Sequence, residues 1–111
     1  MTVQQLIEHS IFQTCNRGSN TESVIEKVYC CDLLSFAMGK APANCAWITV
    51  IGNVNTLAVA ALADVSCIIL AENAKLDNIA LQKATEQGIS VFYTELPSFE
   101  AALEVHQLLE H

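Results

Sequence analysis

The chain has 111 residues, which is room for one domain around a single hydrophobic core, and we predict one domain over residues 1–111. Hydrophobic residues make up 52% of the chain and charged residues 15%, a composition that excludes an intrinsically disordered protein. The formal net charge of −7 argues against nucleic acid and membrane surfaces as partners. Because the sequence has no apolar membrane span and no signal peptide, we expect a cytoplasmic protein.

The first elements along the chain are a short helix and two strands. Thr2 is a suitable N-cap for a helix that runs to about His9. Residues 10–15 and 24–29 are predicted strands, and the polar, turn-rich loop between them separates the two. The second of these strands alternates apolar and polar residues, so one of its faces is expected to be wetter.

A second helix is predicted over residues 32–40. Asp32 stands where a helix N-cap belongs, and its carboxylate is a good acceptor for the free N–H groups of a first turn. Gly39 is expected to end this helix near its C-terminus, since Pro42 prevents continuation.

The second half of the chain alternates strands and helices more regularly. Apolar and β-branched stretches predict buried strands, and each is followed by a segment with helical character. The predicted strands are 46–52, 66–71 and 89–94, and the predicted helices are 55–64, 76–88 and a last helix capped by Ser98. Gly88 should close the helix before the last strand.

Two of these helices have a predicted core-facing stripe. In the helix over 76–88 the stripe consists of Leu76, Ile79, Ala80 and Ala84. In the last helix it consists of Phe99, Ala102 and Leu103. The helix over 55–64 instead has almost no polar face, so it either packs tightly between the sheet and its neighbours or lies in a subunit interface.

Apolar strands that alternate with helices are typical of a parallel sheet covered on both faces. We therefore predict an α/β fold: a single three-layer domain with a mostly parallel sheet and right-handed crossovers. Trp47, inside a predicted strand, is expected to be a core residue.

Polar residues follow the predicted strands at four places, where ligands bind in open parallel sheets. The fourth place is Thr94-Glu95, and the candidate ligand-binding residues at the first three are Asp32, Ser35, Thr49, Asn53, Asn55, Thr56, Glu72 and Asn73. The stretch from Gly52 to Thr56 is the best candidate for an anion, because Gly52 permits a sharp turn and helix N–H groups follow. Plain helix capping explains the same residues, and Asp32 is also expected to be a cap.

No catalytic residues, metal ligands or cofactor are predicted. The chain has no phosphate-binding glycine loop and no nucleophile elbow, and its five cysteines are not at zinc spacing. His9 and His106 lie on predicted helices, and neither has another His or a Cys at ligand spacing. The adjacent Cys30 and Cys31 are expected to pack as small residues, while the alternative is a reactive thiol at Cys31, since a helix N-terminus follows it.

The run from Tyr29 to about Ala101 resembles the DRTGG domain family, to which the N-terminal domain of HPr kinase/phosphorylase belongs. The matching pieces are YCCDLLSFAM, AWITVIGNVNTLAVAALADVSCIIL, KATEQGISVFYT and SFEAA. Where the family has Asp-Arg after the glycine, this chain has Asn53-Val54, and where the family has Thr-Gly-Gly, it has Ala71-Glu72-Asn73. Residues 109–111 match the start of a vector-derived histidine tag.

The resemblance implies a bacterial regulatory domain that often self-associates and is not catalytic. We therefore expect a homodimer that binds a small anionic ligand, such as a nucleotide or acyl phosphate, or a protein partner. Two alternatives stay open: a redox sensor or small enzyme that uses Cys31, and a scaffold subunit of a larger assembly.

Overall fold

The computed structural model describes residues 1–110, and His111, the last of the three tag-like residues, lies outside them. Every predicted helix and strand is present, with shifted ends. The elements are α1 Val3–His9, β1 Gln13–Asn16, β2 Lys27–Cys30, α2 Leu34–Lys40, β3 Cys45–Thr49, α3 Val54–Ala63, β4 Cys67–Leu70, α4 Asn78–Gln87, β5 Val91–Tyr93 and α5 Ser98–Leu109. In this part of the chain no helix is both long and apolar enough to cross a membrane.

The five strands form one sheet in the order β1-β5-β4-β3-β2. Strands β2, β3, β4 and β5 are parallel, while β1 runs antiparallel to β5 at the edge. The carboxyl ends of the four parallel strands therefore lie along one edge of the sheet, and β1 begins at that same edge. The prediction of a mostly parallel sheet is confirmed.

Helices cover both faces of the sheet, which makes three layers. Alternate residues of a strand point to opposite faces, so neighbouring residues of β3 enter different cores. Trp47 packs in the core that includes buried residues of α2, α3 and α4. Ile48 packs in the core that includes α1 and α5. Trp47 is fully buried, as predicted, and the three-layer α/β fold is confirmed.

Side-chain and backbone caps end several helices as the sequence predicts. Thr2 forms a capping box with Gln5, in which each side chain accepts a hydrogen bond from the other residue's backbone N–H. Gly88 ends α4 with a φ of 68°, a left-handed conformation that glycine adopts without a Cβ clash. A Cβ on Gly88 would also meet the Ser19 side chain.

The predicted start of the last helix is wrong, and its predicted stripe is confirmed only at Ala102, which packs against the core that includes α1 and α5. Ser98 is the first residue of α5 rather than its cap, and the capping position is occupied by Pro97 without a side-chain hydrogen bond. Phe99 and Leu103 are 69% and 39% exposed, while Ala101 and Val105 are buried. The small Ala101 allows α5 to approach the sheet closely, and the larger residues beside it are left outside.

The predicted stripe of the helix over 76–88 is confirmed at Leu76, Ala80 and Ala84, which are buried, and is wrong at Ile79, which is 69% exposed. Helix α2 also differs slightly from its prediction, because it continues past Gly39 to Lys40.

Candidate functional site

The candidate site lies along the carboxyl edge of the sheet, where the sequence predicts it. The edge has two parts that differ in how their polar groups are bonded. We call the ends of β2 and β3, with Asp32, Thr49, Asn53 and Thr56, the closed half. We call the ends of β4 and β5, with Asn73, Lys75, Thr94 and Glu95, the open half.

Asp32 does not cap α2, which corrects the sequence prediction. The N-cap position belongs to Leu33, which makes no side-chain hydrogen bond. The Asp32 carboxylate instead reaches across to β3, where one oxygen accepts hydrogen bonds from the Thr49 hydroxyl and the Val50 N–H, both at 2.9 Å. The reason is that Cys31 N–H still bonds to β3, at Ile48 O, so the chain has not yet turned into the helix.

In the loop after β3, polar side chains form hydrogen bonds with backbone groups of the same loop. Asn53 is the N-cap of α3, and its side-chain oxygen accepts from Asn55 N–H at 2.9 Å and Thr56 N–H at 3.3 Å. The buried Thr56 hydroxyl donates to Ile51 O at 2.7 Å. These bonds occupy N–H groups that a bound anion would otherwise meet.

Two further candidates of this half face solvent. Asn55 lies in the first turn of α3 and Ser35 in the first turn of α2, and both are exposed. Thr49, by contrast, is fully buried. The closed half therefore brings together Asp32, Thr49 and Asn53 as hydrogen-bonding groups that hold the loops, and the exposed Asp32, Asn55 and Ser35 lie at its surface.

Of the cysteine pair beside Asp32, Cys31 is half-buried against the core that contains Trp47, whereas Cys30 is exposed, so the packing prediction is wrong for Cys30. Partial desolvation of its sulfur, and secondly the nearby Asp32 charge, raise the pKa of the Cys30 thiol, so this thiol stays protonated near neutral pH. The Cys31 sulfur lies 3.4 Å from Leu33 O, and Cys31 O accepts a hydrogen bond from the Trp47 indole. Neither of these contacts supplies a base that would activate the Cys31 thiol, so they do not support the alternative hypothesis of a reactive thiol at Cys31.

The core cysteines behave as small apolar residues. Cys45 and Cys67 are fully buried in β3 and β4. Burial raises the pKa of Cys45 to about 11 and raises that of Cys67 further. All five cysteines are free thiols. Within residues 1–110, no group of three or more His, Cys, Asp or Glu side chains could hold a metal ion.

Glu72 and Asn73 form the turn after β4. Both have left-handed backbones, with φ of 58° and 62°. Their N–H groups donate to Leu96 O and Thr94 O, each at 2.9 Å, so the turn is held to the end of β5. Because backbone carbonyls satisfy these N–H groups, the two exposed side chains remain available to solvent or a ligand.

A groove of about 350 Å³ opens next to this turn. It lies between the ends of β4 and β5 and the start of β1, and its lining residues are Ile11, Phe12, Gln13, Asn73, Lys75, Tyr93, Thr94, Glu95 and Leu96. The Lys75 ammonium lies 4.3 Å from the centre of the Tyr93 ring, a cation–π contact. The Tyr93 hydroxyl accepts from Leu76 N–H at 3.1 Å, which fixes the backbone beside Lys75.

Sequence reasoning included Asn73 and the Thr94-Glu95 stretch but missed Lys75, Tyr93 and Gln13. Gln13 lies in the groove because β1 pairs antiparallel with β5, and no local sequence pattern indicates that pairing. Lys75 could have been noticed as a cation close to the end of a buried strand in an acidic chain.

A larger cavity, of about 490 Å³, lies in the other layer between α1 and the end of α5. Its lining includes His9, Glu8 and Leu108 and shares no residue with the carboxyl edge. His106, on the same helix as Leu108, is paired with Glu110 at 2.7 Å and is exposed. We regard the carboxyl edge as the candidate site because its polar groups converge from several strands.

Comparison with known proteins adds no relative. No protein-family model matches the chain, and no curated protein matches it.

Proposed function

We propose that the chain is a non-catalytic regulatory module that self-associates through the outer surface of α2 and α3. We call this surface the α2–α3 face and define it by Leu33, Phe36, Met38, Ala58 and Leu62. The absence of acidic residues from the segment 33–63, which contains both helices of this apolar surface, is the observation that carries the proposal in an acidic protein.

The α2–α3 face exposes large apolar side chains. Leu62 is 74% exposed, Leu33 61%, Met38 54% and Phe36 53%. Helices α2 and α3 contact each other, so these side chains belong to neighbouring elements of one layer. Exposed apolar side chains concentrated on adjacent elements mark an interaction surface.

The charge distribution favours a second copy as the occupant. The chain has 12 acidic residues, yet the segment 33–63, which contains α2, β3 and α3, has none. Two copies with a net charge of −7 repel each other over most of their surface. In a twofold dimer the same patch meets itself, so a patch without carboxylates is where two copies can meet without apposing like charges.

The resemblance to the DRTGG family supports the regulatory part of the proposal. The two positions where that family has consecutive glycines are Glu72 and Asn73, and both have left-handed backbones here. Glycine is the residue that adopts this conformation most readily. Two consecutive left-handed residues are a place where a Gly-Gly pair fits, which supports the resemblance, although the side chains differ.

The non-catalytic part rests on the closed half of the edge. Asp32, Thr49 and Asn53 are committed to hydrogen bonds that hold the loops, and the raised pKa of Cys30 keeps that thiol protonated. A small ligand or a protein partner at the carboxyl edge would then act by changing self-association rather than by being transformed.

Sedimentation velocity over a range of protein concentrations tests the proposal. We expect a dimer for the wild type and at least about tenfold weaker association for Leu62→Glu, because the variant places two carboxylates opposite each other in the dimer. Phe36→Glu should have the same effect from α2.

Phe99→Glu is the matched control, since Phe99 is equally aromatic and 69% exposed but lies on α5, in the other layer. It should leave the dimer intact. A wild type that stays monomeric at high concentration, or a Phe99→Glu variant that dissociates as much as Phe36→Glu, would contradict the proposal. Circular dichroism checks that each variant is folded.

A further inference from the structure

We propose that the groove of the open half binds a small zwitterion, namely a free α-amino acid with an apolar side chain. This goes beyond self-association, because the groove and the α2–α3 face share no residue.

Two opposite charges line the groove without pairing. Lys75 and Glu95 are both exposed groove residues, and in the described part of the chain neither forms an ion pair. A ligand that carries a carboxylate and an ammonium group satisfies both charges at once. Its carboxylate would meet the Lys75 ammonium, and its ammonium group would meet the Glu95 carboxylate.

The Lys75 side chain is oriented before any ligand arrives. Its ammonium lies over the Tyr93 ring at 4.3 Å, and the backbone on its C-terminal side is held by two hydrogen bonds. Leu76 N–H donates to the Tyr93 hydroxyl at 3.1 Å and Asp77 N–H to Gly52 O at 3.0 Å. An ordered cation loses less side-chain entropy on binding than a free surface lysine does.

The net charge selects a zwitterion over a simple anion. A chain with a formal charge of −7 repels phosphate and carboxylate ligands, and one lysine beside a glutamate does little to offset this field. A zwitterion has no net charge, so the field of the protein does not oppose its approach. Its two charged groups still gain the two local contacts.

The rest of the groove fits the remaining part of such a ligand. Ile11, Phe12 and Leu96 supply apolar surface, and the exposed amides of Gln13 and Asn73 supply donors and acceptors at the rim. The volume of about 350 Å³ is at the lower end of ligand pockets, which are about 300–1,000 Å³. A single amino acid fits within this volume.

Isothermal titration calorimetry of the full chain tests the proposal with defined probes. The probes are leucine, valine, methionine and phenylalanine, then 4-methylpentanoate and 3-methylbutylamine, which each keep one charge of leucine, and inorganic phosphate. We expect at least one of the amino acids to bind, and each single-charge analogue and phosphate to bind at least about tenfold more weakly.

Variants assign the binding to the groove. Lys75→Gln and Glu95→Gln should each weaken amino-acid binding by about tenfold or more. Lys83→Gln, which removes a lysine of α4 outside the groove, should leave it unchanged. The proposal is overturned if none of the four amino acids binds at millimolar concentration, if 4-methylpentanoate, 3-methylbutylamine or phosphate binds as tightly as leucine, or if the groove variants bind like the wild type. The dimer proposal is tested separately by sedimentation velocity, so a failure of the amino-acid proposal would not overturn it.

Discussion

The closed and open halves of the carboxyl edge have similar polar residues and use them in different ways. In the closed half, side chains satisfy the backbone: Asp32 bonds to Val50 N–H and Asn53 to the first turn of α3. In the open half, Glu72 N–H and Asn73 N–H bond to carbonyl groups after β5, and the side chains that accept from the backbone are those of Tyr93 and Thr94. The side chains of Asn73, Lys75 and Glu95 are therefore left for other uses.

This difference shows how a polar residue at a strand end should be weighed. The N–H and C=O groups of a loop must find partners, either in other backbone groups or in nearby polar side chains. Only those side chains that the backbone does not need are free to bind a ligand. At this edge the rule favours Lys75, Glu95 and Asn73 over Asp32 and Thr49.

The largest effect is expected at Gly52, where the two halves touch. A Cβ on Gly52 would lie 2.0 Å from Lys75 O, a backbone atom that cannot move aside cheaply. We expect Gly52→Ala to lower the free energy of unfolding by about 3 kcal/mol, as measured by urea denaturation. It should also weaken ligand binding in the groove, because the loop that carries Lys75 is displaced.

Gly39→Ala is the control for this substitution. No atom lies within 4 Å of a Cβ on Gly39, and the residue is inside α2. Alanine there should stabilise the protein by about 0.5–1 kcal/mol, since glycine weakens a helix interior. If Gly52→Ala were as stable as the wild type, the loops of the two halves would be able to separate, and the open half would not depend on the closed one.

A smaller loss is expected at Asp32. Asp32→Ala removes the acceptor of the buried Thr49 hydroxyl and of Val50 N–H, so the free energy of unfolding should fall by about 1–3 kcal/mol. Glu95→Ala in the open half should change it by less than about 0.5 kcal/mol. Urea denaturation of both variants compares the halves directly, and equal losses would remove the distinction between them.

The fold was largely predictable because its signals are local and repeated. The apolar stretches of β3, β4 and β5 alternate with helical segments, and that order alone predicts a parallel sheet with two covered faces. Caps such as Thr2 and Gly88 have short sequence signatures. The core-facing side of α5 was not predictable, because it depends on the small Ala101 fitting closely against the sheet.

The sequence predicts where the candidate residues lie but not which of them hold the loops and which are free to bind a ligand. Strand ends can be located from the sequence, and Asp32, Asn53 and Glu72 were placed there for that reason. Which of them the backbone recruits depends on loop geometry, and the role of Asp32 changed because the strand pairing continues through Cys31. The groove itself depends on the antiparallel pairing of β1 with β5, a contact between distant parts of the chain.

The smallest effect, and the finest test of the open half, is expected at Glu72. Its φ of 58° costs a residue with a Cβ about 1–2 kcal/mol, and glycine avoids this cost but loses more chain entropy on folding. Glu72→Gly should therefore stabilise the protein by about 0.5 kcal/mol in urea denaturation, and Asn73→Gly by less, since asparagine tolerates this conformation. If Glu72→Gly destabilised the protein, the Glu72 side chain would be stabilising the fold. The side chains of the open half would then contribute to stability more than its backbone hydrogen bonds indicate.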